Sequence, residues 1–225
     1  TPATESLAVT RSALVLCCGT PPIWLLRREA GAALASLGGY GDASTLFAAA
    51  GDVVETVECL RLAGNRDSAE QFAEEQLASL KTSGKESEGE EAEEAPWRWT
   101  VLAQLGEMRS DPKLLQEAWE GSHHRCVRAV RALGTLALRE GEFPAAMNFL
   151  QQATSCRPAD HAAWYATGCC LQQLKNYPLA ANAFFRAAAL DPENADYWGG
   201  AAVCQSAGGD ARAALEAARQ AVRLR

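Results

Sequence analysis

Val127-Arg-Ala-Val-Arg-Ala-Leu-Gly134, His161-Ala-Ala-Trp-Tyr-Ala-Thr-Gly168 and Ala195-Asp-Tyr-Trp-Gly-Gly-Ala-Ala202 open three consecutive segments of one 34-residue period that runs without slippage to Arg225. Stacked on that period, small and bulky residues fall in fixed columns. Gly134, Gly168 and Ala202 share the first; Ala146, Ala180 and Ala214 share the second; Leu150, Phe184 and Ala218 the third; Ala153, Ala187 and Ala221 the fourth. Pro158 and Pro192 close the first two units. Small residues let two antiparallel helices approach, the bulky residue fills the space beside them, and proline ends a unit because it cannot continue a helix. Each unit therefore reads as a helical hairpin. A lone hairpin cannot bury its apolar stripe, so neighbouring hairpins must stack.

The period, the small-residue columns, the closing prolines and the early tryptophans Trp164 and Trp198 resemble the tetratricopeptide pattern. The expected fold is all-α, a right-handed α-solenoid of stacked hairpins with degenerate N-terminal units. An ordinary helical bundle would have to imitate the same period by coincidence.

With 225 residues and 48% hydrophobic content, the chain is long enough for one sizeable core or one continuous stack. Its first residue is Thr1, and Arg225 falls before the third closing proline, so a piece of a longer polypeptide is expected. The formal charge of −7 is concentrated in Glu86, Glu88, Glu90, Glu91, Glu93 and Glu94. Without these the chain is close to neutral, which argues against direct nucleic-acid binding through a basic surface. No apolar stretch approaches a membrane span, and the start does not read as a secretory signal. The eight cysteines include no C-x-x-C pair and read as reduced, buried small hydrophobes, which points to the cytoplasm or the nucleus.

The N-terminal part, residues 1–80, follows the same grammar less regularly. Gly31 fits the glycine column, with Tyr40, Ala43, Phe47 and Ala50 in second-helix places, and a further hairpin turns at Gly64 and Asn65 with Asp67 as N-cap. Residues 81–95 combine Ser, Gly, Lys and the glutamate run without apolar periodicity, and are expected to form a disordered acidic loop. From 96 to 126 comes a shortened unit, with Asp111 and Pro112 starting its second helix and Leu114, Leu115, Ala118 and Trp119 as that helix's apolar stripe. Regular units follow at 127–160, 161–194 and 195–225.

The run from Trp99 to Gly106, then Asp111-Pro112, then Gln116 to Glu120, then Arg128 to Gly134 resembles the tetratricopeptide repeat protein 27 family, as does Val53 to Leu60 followed by Gly64 to Glu70. The resemblance covers the chain from about Gly39 onward. It implies a non-enzymatic, intracellular scaffold, associated in that family with chaperone-assisted assembly of large complexes. The acidic loop is an insertion relative to the family pattern.

Polar residues fall mostly at solvent-facing helical places, and no nucleophile, base or carboxylate pair stands out as catalytic. No cofactor is implied. His123, His124 and Cys126 lack a second ligand cluster and read as an inter-repeat turn rather than a metal site. The resemblance places Arg128, Arg131, Thr135, Tyr165, Cys169, Gln172, Gln173, Asp196 and Val203 on a concave groove lined by the first helix of each hairpin, where other proteins would bind. Arg128 and Arg131 share a helical face and, with Tyr165, are candidates to grip an acidic or carboxylate-bearing segment. Tetratricopeptide domains that clamp chaperone C-termini use Lys and Asn, then Asn, then Lys and Arg; here Arg131 and Thr135, Ala166, Asp196 and Gly200 stand in those places. Four of those five donors are missing, so that clamp is not expected. The alternative is a repeat domain attached to an enzyme whose catalytic part lies elsewhere. The residues leave the oligomeric state open.

Overall fold

The computed structural model describes residues 21–83, 95 and 97–225. The described residues are all-α, with twelve helices and no strand. They divide into two compact units, Thr1–Val101 and Leu102–Arg225.

In the first unit, α1 (Ile23–Ser36) pairs with α2 (Tyr40–Ala50), and α3 (Val53–Leu62) with α4 (Arg66–Ser83). Gly31 faces the ring of Phe47, and a Cβ at that glycine would sit 3.1 Å from it. Around Phe47, the buried Ala43 and Cys59 gather Leu34, Ala35 and Tyr40. The Asp52 side chain caps α3 by accepting from the Glu55 N–H. Helix α4 starts at Arg66, so Asp67 lies in its first turn and not at the cap; Asn65 precedes the helix and accepts from the Ala69 N–H at 3.0 Å. An acidic side chain one turn inside still complements the positive helix N-terminus. Helix α4 runs to Ser83, three residues into the expected acidic loop. Residues 1–20, residues 84–94 of the expected loop and residue 96 lie outside the described residues.

The second unit is built from α5 (Arg98–Arg109), which begins just before the unit boundary, α6 (Pro112–Gly121), α7 (Val127–Glu140), α8 (Phe143–Cys156), α9 (His161–Gln173), α10 (Tyr177–Leu190), α11 (Ala195–Ala207) and α12 (Ala211–Arg223). Each second helix also touches the first helix of the following hairpin, so the hairpins stack in chain order. The columns of the repeat are its core. Ala146, Leu150, Ala153, Ala180, Phe184 and Ala187 are all at most 1% exposed. A Cβ at Gly134 would lie 2.7 Å from Leu150, and one at Gly168 2.8 Å from Phe184, so only glycine admits the bulky partner 16 residues later. The same spacing joins Gly31 to Phe47, which explains why the first hairpin closes like the regular ones. In the shortened hairpin Gly106 meets Leu115 instead, nine residues on.

Every turn inside a hairpin has one construction. Gly38, Gly64, Ser110, Gly141, Lys175 and Gly209 adopt positive φ. The residue after each donates its N–H to the carbonyl five positions back, as in Asn176 to Leu171 at 2.9 Å and Asp210 to Gln205 at 3.0 Å. This satisfies the orphan carbonyls of the first helix and starts the second without a linker. No described helix is long and apolar enough to cross a membrane.

Candidate functional site

The first helices α7, α9 and α11 touch one another in succession, so side chains one period apart form ladders on a shared face. Their positions are set from within. Asp160 caps α9 by accepting from the Ala163 N–H at 3.1 Å, and Asn194 caps α11 by accepting from the Asp196 N–H at 3.1 Å. The indole N–H of Trp164 donates to the Pro158 carbonyl at 2.8 Å, and that of Trp198 to the Pro192 carbonyl at 3.1 Å. Each tryptophan thus ties the helix it sits on to the loop leading into it, and the closing proline supplies the acceptor.

Arg128 and Arg131 are committed to the chain's own carboxylates. Arg128 donates through Nε and Nη2 to Glu107 Oε2 at 2.9 and 2.7 Å. Arg131 Nη1 donates to both oxygens of Asp160 at 3.2 and 2.9 Å, while its Nη2 stands 3.8 Å from Glu107 Oε1. Asp160 is 6% exposed and the other three side chains 23–24%, so water screens this ladder only partly. The Arg128–Glu107 and Arg131–Asp160 pairs therefore link three consecutive hairpins through charge-assisted bonds, each worth about 1.5–3 kcal/mol. Reading the residues alone overlooks Glu107 and Asp160: their partners lie 21 and 29 positions away, and helical spacing relates only neighbours three or four apart. Arg131, the one clamp donor present, is bound up in this ladder.

Tyr165 lies against Phe184 and Tyr197, with ring centroids 5.5 and 5.2 Å away. Burial, followed by the neighbouring Cys169, pushes its phenol up, and burial likewise pushes up the thiols of Cys169, Cys170 and Cys204. Tyr197 is buried, and its hydroxyl is 2.7 Å from His161 Nδ1. Thr135 turns its hydroxyl back to the Ala132 carbonyl at 2.9 Å. With Gly106, Glu107, Ser110, Arg131 and Arg139, it lines a cleft of about 320 Å³. Gln172 is half-buried, while Gln173, Asp196 and Val203 are exposed. The face thus combines a neutralised ion ladder, a partly buried tyrosine and open polar and apolar positions. His123 and His124 form the turn between α6 and α7, both with positive φ. Among the described residues no group of three or more His, Cys, Asp or Glu could hold a metal ion.

The tetratricopeptide repeat family model matches residues 131–195 and 165–225. A TPR repeat-containing protein of Schizosaccharomyces pombe is 31% identical over 108 residues, 48% of this chain and 13% of that protein. The tetratricopeptide repeat protein 27 homolog of Dictyostelium discoideum is 25% identical over 155 residues, 69% of this chain and 16% of its own length. The chain spans less than a fifth of either relative. Among solved structures, the APC/C hetero-tetramer Cut9–Hcn1 aligns with a TM-score of 0.66 at 14% identity, covering 97% of this chain and 43% of that one, a likeness of fold alone.

Proposed function

Because the chain is a tetratricopeptide-repeat protein, we propose that it acts as a non-enzymatic scaffold that binds segments of other proteins on the face made by α7, α9 and α11. The carrying observation is that α7 touches α9 and α9 touches α11, and that these helices hold Thr135, Tyr165, Gln172 and Val203 on hairpins whose spacing the ion ladder and the tryptophan bonds fix. A surface pre-set in this way orders a bound segment at low entropic cost. A narrower reading, assistance to the assembly of a large complex together with chaperones, is what the resemblance to the tetratricopeptide repeat protein 27 family implies. Among the described residues the thiols of Cys59, Cys156, Cys169, Cys170 and Cys204 are free, which favours a reducing compartment, the cytoplasm or nucleus.

The test is affinity capture from cells with the wild-type chain and a Gln172→Ala, Val203→Ser double variant. Loss of a specific partner at unchanged melting temperature is the expected result. Full retention of every partner by the double variant sinks the reading.

A further inference from the structure

We propose that the face carries a notch over Gly199 that receives a lysine or arginine side chain from an extended segment of a partner protein; this rests on the scaffold reading above. The notch comes from the ladders. Arg131, Tyr165 and Gly199 stand one period apart, as do Thr135, Cys169 and Val203, and Arg128, Ala162 and Asp196. Where the first two hairpins carry a guanidinium and a phenol, the third carries no side chain.

Neither backbone nor packing accounts for that glycine. Gly199 lies inside α11, is not among the positive-φ residues, and a Cβ there would meet no atom within 4 Å. Gly200 differs: its Cβ would lie 2.8 Å from Phe184, so packing requires it. Glycine lowers the helix propensity of α11, and at position 199 the folded chain gains nothing in return. An approaching chain would gain, because an open glycine leaves room for another side chain to come close to the helix.

The surroundings specify the charge of that side chain. Asp196 and Val203 lie three residues before and four after Gly199, on the same side of α11, and are 70% and 55% exposed. Arg128 and Arg131 are paired at hydrogen-bond distance with Glu107 and Asp160, whereas the exposed Asp196 carboxylate beside the notch has only a longer pair, with Arg225. A guanidinium already reaches it: Arg225 Nη2 stands 3.8 Å from Asp196 Oδ1, with both side chains exposed. The Asp196 carboxylate also adds to the upward push on the Tyr165 phenol, after burial and Cys169, so this charge is felt across the two hairpins. A basic side chain could lay its aliphatic stem on Val203 and Tyr165 and its head on Asp196. A carboxylate there would be repelled.

The probes are two fluorescein-labelled short peptides, one with a Leu-Arg-Leu core and one with Leu-Glu-Leu, titrated into the 225-residue chain by anisotropy. The arginine peptide should bind at least about tenfold more tightly. Asp196→Lys should reverse the preference, and Gly199→Leu should weaken the arginine peptide by about tenfold or more without lowering the melting temperature. Equal binding of the two peptides, no binding of the arginine peptide, or indifference to Gly199→Leu overturns the notch. Should the notch fail while the Gln172→Ala, Val203→Ser variant still loses its partner, the scaffold reading stands; if that variant loses nothing, the scaffold reading falls with it.

Discussion

Lys175 holds a backbone conformation that the equivalent places one period away give to glycine: φ is 59° at Lys175, 82° at Gly141 and 88° at Gly209. A side chain in that region costs about 1–2 kcal/mol. Lys175→Gly should therefore raise stability by about 1 kcal/mol, measured as a shifted denaturation midpoint with unchanged slope. Glycines on the first helices should respond with opposite signs. Gly168→Ala puts a methyl 2.8 Å from Phe184 and should cost about 1–3 kcal/mol, whereas Gly199→Ala meets open space and should add up to about 1 kcal/mol. The thiols give a pH dependence. Burial raises those of Cys126, Cys169, Cys170 and Cys204, so the folded chain keeps them protonated where the unfolded chain, with a thiol pKa of about 8.5, ionises. Their contribution to stability is complete below that value and is lost as pH rises through the raised ones, which melting curves from neutral to alkaline pH will show. Alkylation near neutral pH should label exposed Cys156 well before these four.

At the scale of an element, α9 is held at its start by one carboxylate with two tasks. Asp160 caps the helix and pairs with Arg131. Arg131→Ala removes the pair and should cost about 1–3 kcal/mol; Asp160→Ala removes the pair and the cap and should cost about 1 kcal/mol more. A double-mutant cycle isolates their coupling, expected above about 0.5 kcal/mol. A coupling near zero would mean that the ladder does not set the hairpin spacing. The caps at Asp111, Asp160 and Asn194 follow from residue type and place, because a short side chain must accept from the N–H groups that open a helix. The destination of Arg131 does not, because its fork could have met a partner's carboxylate as readily as Asp160.

Across the whole second unit, stability is a sum over hairpins and the contacts between neighbours. Phe184 packs against Gly168 in its own hairpin and against Gly200 in the next. A chain ending at Leu190 would expose that ring, so residues 102–190 should melt at a lower temperature than in the intact chain, followed by circular dichroism. An unchanged melting temperature would mean that the last hairpin contributes nothing to its neighbour. The hairpins, their order and their cores are readable from the 34-residue period, because close packing demands glycine or alanine at the approach and one bulky side chain opposite it. Gly31 and Phe47 were readable for the same reason, and the shortened hairpin declared itself by its missing residues. The charge of the face made by α7, α9 and α11 was not readable. Arg128 and Arg131 look like free cations in a linear reading, and stacking brings Glu107 and Asp160 from two other hairpins to neutralise them. Local order repeats along the chain and leaves a periodic trace in the residues; ion pairing across hairpins depends on a stacking geometry that no such trace encodes.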